Sequence, residues 1–292
     1  MRIGRRSFLG WATGVLAFGA AARLSLGSNT FSPWINANKA FRDEAMESIP
    51  LASLPEPIRS RVHGVITNPT VFRRLPVQVI PCDPDLYLFL IRYPEVVVNM
   101  WQLMGVTKVT VKRVGDYLFD AVDGAGTSGR VELVYGTREQ HLFLADGCYD
   151  GPLVPRRVTG RVVLLLTSGY SLDPEKKPHV SNQLDVFVQL DNVGAEIVAK
   201  TLHPLMGKTA DSNFVESTRF LSQVSQVVET NGPGIQRLAG RLLNVEPTVR
   251  NRFAQIAATI NQRAIMHSVI APENGSAASL TDRQPDASHN GS

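Results

Sequence analysis

Cysteine is almost missing from this chain: there are two, Cys82 and Cys148, in 292 residues. Two thiols cannot build a structural zinc site without histidine, and no Cys-x-x-Cys occurs. The six histidines, His63, His141, His179, His203, His267 and His289, are scattered, with no His-x-His or His-x-x-x-His spacing. A metal centre therefore has no ligand set in the sequence. No glycine-rich phosphate loop follows a strand and opens a helix, so a nucleotide cofactor has no support. The nearest string to the serine-hydrolase elbow is Gly169-Tyr170-Ser171-Leu172-Asp173, which lacks the second glycine and runs into a polar loop. Asp116, Asp120 and Asp123 are spaced irregularly about a turn, and calcium would need several more oxygen ligands there. Charged residues are only 19% of the chain and form no basic stripe, so nucleic acid is not an expected partner. These absences leave no catalytic residue, no metal and no cofactor to assign.

What is present begins at the N-terminus. Arg5-Arg6-Ser7-Phe8-Leu9 matches the twin-arginine export pattern. A Gly/Ala-rich apolar stretch from Leu9 to Ala22 follows and contains no acid. It is short for a membrane span, which takes about 20 residues. It ends in Ala20-Ala21-Ala22, small enough for a signal peptidase. Residues 1–22 are expected to be a twin-arginine signal, with the twin-arginine translocase as partner during export. The protein is then periplasmic or otherwise exported, and touches the membrane only through this segment if it stays uncleaved. No cysteine follows the apolar run, which argues against a lipoprotein. Removing the segment takes away Arg2, Arg5 and Arg6 and no acid, so the formal charge falls from +4 to +1. In an oxidising compartment Cys82 and Cys148 could form one disulfide, or stay two half-buried thiols.

Residues 23–75 read as a polar N-terminal arm, with a short helix around Asn38–Met46 and a helical turn from Glu56 to Val62. Leu86 to Arg92 (LYLFLIR) fits a buried strand or an amphipathic lead-in to the next helix. Pro94-Glu95 opens a helix with Val97, Met100, Trp101 and Met104 at helical spacing and Gly105 as its stop. Strands then run from Val106 to Val114, Asp116 to Val122, Arg130 to Tyr135, Glu139 to Ala145, Arg157 to Ser168 and Leu184 to Leu190. Turn signals lie between them, so the sheet is expected to be a mainly antiparallel meander. A helix in two parts follows: Val193–His203, broken at Pro204 and Gly207, then a helix capped by Asn213 with Glu216 at capping-box spacing. Its apolar face is Phe214, Leu221, Val224 and Val228, widened by Phe220 and Val227. Gly232-Pro233-Gly234 ends it; Ile235–Leu243 and Thr248–Met266 make two more helices, and residues 271–292 read as a disordered tail.

A helix, a six-strand meander and a long closing helix, in that order, resemble the START/Bet v 1-like helix-grip superfamily. The Pro94-Glu95 helix, the glycine-punctuated hairpins from Val106 to Ser168 and the run from Asp185 to Val228 carry the resemblance, over about residues 85–230. It implies an α+β fold: a curved, mainly antiparallel sheet gripping a long C-terminal helix over residues 76–231, with extra C-terminal helices at 232–270. The family's second short helix has no counterpart in this reading, and the closing helix is interrupted at Pro204. Members bind lipids, sterols or other apolar ligands between sheet and helix, and some are cyclases or aromatase-like enzymes. The resemblance thus implies an exported, non-catalytic binding protein for a lipid-like or other apolar small molecule. The alternatives are a cyclase/aromatase-like enzyme of the same fold, or a cell-envelope structural protein without a ligand cavity. Candidate cavity residues are Trp101, Tyr117, Phe119, Tyr135, Phe143, Phe187 and Phe220, with His141 as the polar member. Arg113 and Arg138 are placed to meet an anionic headgroup or to be solvated, and the break near Gly207 would be the ligand's entrance.

Overall fold

The computed structural model describes residues 32–152, 154–191, 194 and 208–270. The signal at 1–22, the helical part Val193–His203, the Gly207 break and the tail at 271–292 fall outside the described residues. The chain begins with α1 (Ser32–Ser48), a 3-10 turn (Leu51–Ser53) and α2 (Glu56–Thr67). Two short strands follow, β1 (Val71–Arg74) and β2 (Gln78–Pro81), then two short helices, α3 (Pro84–Arg92) and α4 (Pro94–Leu103). The meander is β3 (Thr110–Gly115), β4 (Leu118–Val122), β5 (Thr127–Gly136), β6 (Gln140–Tyr149), β7 (Val158–Leu172) and β8 (Pro178–Leu190). Three helices close the chain: α5 (Lys208–Thr230), α6 (Gly232–Arg241) and α7 (Pro247–Ile270).

Every strand pairing is antiparallel, in the order β1-β8-β7-β6-β5-β4-β3, and β2 pairs with the other end of β8. Pro76 lies between β1 and β2. A proline has no N–H for the ladder, so the edge is split into two short strands. Alternation along the strands gives the sheet two apolar faces. On the concave face Val111, Phe119, Phe143, Val162, Val186 and Val188 pack with Trp101 of α4 and with Phe214, Phe220, Leu221, Val224 and Val228 of α5. The structure is therefore an α+β helix-grip: a curved antiparallel sheet wrapped on one long C-terminal helix, with further C-terminal helices. Ile235, Ala239, Val249, Phe253, Ala257 and Ile260 of α6 and α7 belong to that same core, so these helices finish it.

The convex face carries a second core. Leu142, Leu144, Val163, Leu165 and Phe187 pack there against Ala45, Val62, Val65 and Ile66 of α1 and α2. The helices expected around Asn38–Met46 and Glu56–Val62 are thus longer than read, α1 and α2; they cover the sheet, and β1 extends it. No helix among the described residues is long and apolar enough to cross a membrane.

Two local readings also change. LYLFLIR is a helix, because Asp83 caps it and Pro84 starts it. The Asp83 carboxylate accepts from the Asp85 and Leu86 backbone N–H groups at 2.9 and 3.1 Å. With α4, this supplies the second short helix that the sequence reading lacked. Asn213 is not an N-cap, since α5 already begins at Lys208. Its carbonyl accepts from the Ser217 hydroxyl at 2.7 Å, and Glu216 pairs with Arg219 instead of closing a capping box.

Candidate functional site

The space between the concave face and α5 is where a helix-grip scaffold can hold a ligand, and the described chain fills most of it with its own side chains. Trp101 is fully buried, with its ring 5.6 Å from that of Phe220. Phe119 and Phe143 are buried from the sheet side. Four of the aromatic candidates therefore converge, as packed core. Trp101 Nε1 has no hydrogen-bond partner among the described residues.

The exception is a band of small residues. Strand register puts Val111, Ala121, Gly129, Gly147, Gly160 and Leu190 in one row across the concave face. Partners in an antiparallel ladder share a face, so four neighbouring positions present at most a methyl group. A cavity of about 20 Å³ lies beside this row, lined among others by Tyr149, Val158, Val162, Val188 and Leu190. That is room for about one water molecule. No carboxylate, histidine, lysine or arginine lines it. Gly160 is also required by close backbone approach, because a Cβ there would lie 2.6 Å from the Gln189 carbonyl oxygen.

Polar groups cluster at the other end of the same face, under α3. Tyr87 Oη lies 2.7 Å from Ser168 Oγ and also donates to Asn182 Oδ1. All three residues are buried. Burial raises the Tyr87 pKa, so the phenol stays protonated as the donor the network needs. Five residues on, Arg92 Nε donates to His141 Nε2 at 3.1 Å, and Arg92 Nη2 to the Thr137 carbonyl at 2.8 Å. Burial, with Arg92 second, pulls the His141 pKa down to about 4. With Nε2 accepting, the neutral ring carries its proton on Nδ1, and that N–H has no partner among the described residues. Sequence reasoning singled out His141 and missed Tyr87, Arg92, Ser168 and Asn182, whose only signal was a polar residue in an apolar run.

The remaining candidates lie elsewhere. Tyr135 and Phe187 are on the convex face; Phe187 packs on Phe72 at 4.8 Å between ring centroids. Neither can line the grip. Tyr135 is turned outward by an irregularity in the β5–β6 register, where Leu133 pairs with Phe143 but Tyr135 with Leu142. Tyr117 sits in the β3–β4 turn at φ 55°, 6.2 Å from the Tyr93 ring, at the margin of the sheet. Arg113 is engaged within the protein: it donates to Glu95 at 2.8 Å and stacks 4.7 Å from the ring centres of Tyr93 and Phe119. Burial nonetheless raises the Glu95 pKa, with Arg113 opposing it. Arg138 lies over Tyr170 and 3.6 Å from Asp85.

Of the two alternatives for the cysteines, the structure shows two free thiols. Cys82 Sγ is buried near the Leu221 carbonyl of α5, while Cys148 Sγ lies 3.3 Å from Ser128 Oγ on the neighbouring strand. Each thiol has its own surroundings on a different part of the sheet. One string, Gly124-Ala125-Gly126-Thr127-Ser128-Gly129, does match G-x-G-x-x-G. It turns β4 into β5 and opens no helix, so it presents no helix N-terminus to a phosphate.

No family model matches the chain, and no curated protein does. Among solved structures, norcoclaurine synthase from Thalictrum flavum overlaps 70% of this chain and 98% of its own, at 13% identity and TM-score 0.32. Ara h 8.0201 overlaps 51% of this chain and 99% of its own, at 6% identity and TM-score 0.30. Dicamba monooxygenase bound to dicamba overlaps 76% and 65%, at 11% identity and TM-score 0.37. Likenesses this loose carry no function across; the helix-grip description rests on strand order and on the two cores.

Proposed function

We propose that this chain is an exported, non-catalytic binding protein that takes a small lipid-like or other apolar molecule between the sheet and α5. The observation that carries the proposal is the row Ala121, Gly129, Gly147 and Gly160 on an otherwise side-chain-filled concave face, with an apolar cavity beside it. Catalysis would want titratable groups facing the ligand. Here Tyr87, Ser168 and Asn182 bond to one another, and Arg92 bonds to His141. The gap has room for about one water, so a ligand enters only when α5 parts from the sheet. Apparent affinity is then scaled by the population of that open form. Export follows from Arg5-Arg6 and the apolar stretch Leu9–Ala22.

Native mass spectrometry of protein purified from its own host is expected to show a bound small-molecule mass. Gly147→Val, which fills the row, is expected to weaken a fluorescent fatty-acid probe about tenfold. A chain that carries no ligand and whose probe binding ignores Gly147→Val would sink the proposal. Export is tested separately: Arg5→Lys with Arg6→Lys is expected to leave the protein in the cytoplasm.

A further inference from the structure

We propose that the turn between α6 and α7, with the adjoining end of α4, is a docking surface for an anionic lipid bilayer. The turn is fixed in place: Asn244 Nδ2 donates to Gln102 Oε1 at 2.9 Å, and Gln102 Nε2 to the Val109 carbonyl at 2.7 Å. Around that link the chain exposes large apolar side chains that pack on nothing sufficient to bury them. Leu243, next to Asn244, is 78% exposed; Leu103 and Met104, next to Gln102, are 38% and 45% exposed. One or two such residues would be ordinary on a soluble surface; three at one hydrogen-bonded junction make a protruding apolar patch.

Its rim is basic. Arg237 and Arg241 are exposed one turn apart on α6, Arg250 is half-buried on α7, and Lys108 is exposed where the chain enters β3. None of these four makes an ion pair among the described residues. From Gly232 to Ile270 the chain holds five arginines and one acid, Glu246, which is exposed in the same turn. Unpaired cations around an apolar tip match the two layers of an anionic bilayer: arginines reach the headgroups while leucine and methionine enter the acyl boundary. Charge complementarity favours an anionic surface. The protruding aliphatic tip, without aromatics for stacking bases, favours lipid over nucleic acid.

The test is co-sedimentation of the full chain with phosphatidylcholine vesicles, with and without phosphatidylglycerol, at low and high salt. Any binding by the N-terminal apolar stretch is common to both vesicles, so the readout is the excess on the anionic ones. The excess is expected to fall with salt and to drop at least roughly 25-fold in Arg237→Glu/Arg241→Glu, about fivefold for each lost arginine before the repulsion of the added carboxylates. Leu243→Ser is expected to lower it about tenfold, while Arg5→Gln/Arg6→Gln keeps most of it. No anionic excess, or an excess unchanged in the Arg237→Glu/Arg241→Glu chain, overturns the proposal. So does binding of polyglutamate through these arginines without vesicle excess, which would assign the surface to an acidic protein. None of these outcomes depends on whether a ligand enters the grip.

Discussion

Acidification is expected to weaken this fold through His141. Its Nε2 already accepts from Arg92 Nε at 3.1 Å, so a second proton would put a cation against a guanidinium inside the core. Burial first, and Arg92 second, hold the folded pKa at about 4. An unfolded histidine titrates near ~6.5. Between those values the unfolded chain binds a proton that the folded chain refuses. The stability contributed by neutral His141 is therefore complete above the unfolded value and is lost as pH falls toward 4, at about 1.4 kcal/mol per pH unit. Down to about pH 4.5 the accumulated loss is roughly 2.5 kcal/mol, a large share of a normal folding free energy. The assay is urea unfolding near neutrality and at about pH 4.5, in the wild type and in His141→Gln. Glutamine keeps an acceptor for Arg92 and does not titrate. The wild type is expected to lose roughly 2.5 kcal/mol more than the variant over this interval. Equal pH dependence in the two chains, or a folded-state imidazole that titrates near its ordinary value by NMR, would refute the reasoning.

Three further outcomes are expected. Asp185 is buried on the convex face and accepts from Arg74 Nε and Nη2 at 2.7 and 3.0 Å. Asp185→Asn leaves a largely buried guanidinium under-compensated and should cost about 3 kcal/mol by denaturant unfolding, with Arg74→Met in the same chain recovering most of it. Trp101→Ala and Phe220→Ala should each cost about 3–5 kcal/mol, and the double variant should show a coupling of about 1 kcal/mol because the rings touch. Burial pushes the Cys82 thiol up to about 12. A thiol reagent should therefore modify half-buried Cys148 in the native protein and Cys82 only on unfolding, and reductant should leave the melting temperature unchanged.

Much of the scaffold was written locally. Gly105, expected as the stop of α4, adopts φ 67°, and Gly124 and Gly126 take positive φ in the turn between β4 and β5. The hairpins from β3 to β8 follow their alternation and turn residues, because strand period and turn chemistry are short-range properties. Gly232-Pro233-Gly234 was read as a stop, and it is also a start: Asn231 Oδ1 caps α6 by accepting from the Gly234 N–H at 3.0 Å. The order of elements was enough to indicate a sheet closing on a long helix.

Other features depended on what lies across the sheet. LYLFLIR is equally apolar as strand or helix, and the Asp83-Pro84 cap is what settles it as α3. Tyr135 shares its sequence parity with the inward Val131 and Leu133, yet the irregularity before it turns it to the convex face. Phe187 alternates with Val186 and Val188 along β8, but what covers it comes from α1 and α2, a segment whose helices bury only a few residues each. Sequence by itself determined the order of helix, meander and helix. Tertiary structure alone decided that Gly129, Gly147 and Gly160 align into one row and that Tyr87 meets Ser168 and Asn182. The physical reason is that strand register and helix docking bring together residues tens of positions apart, and no local pattern encodes which small or polar side chains will then face one another.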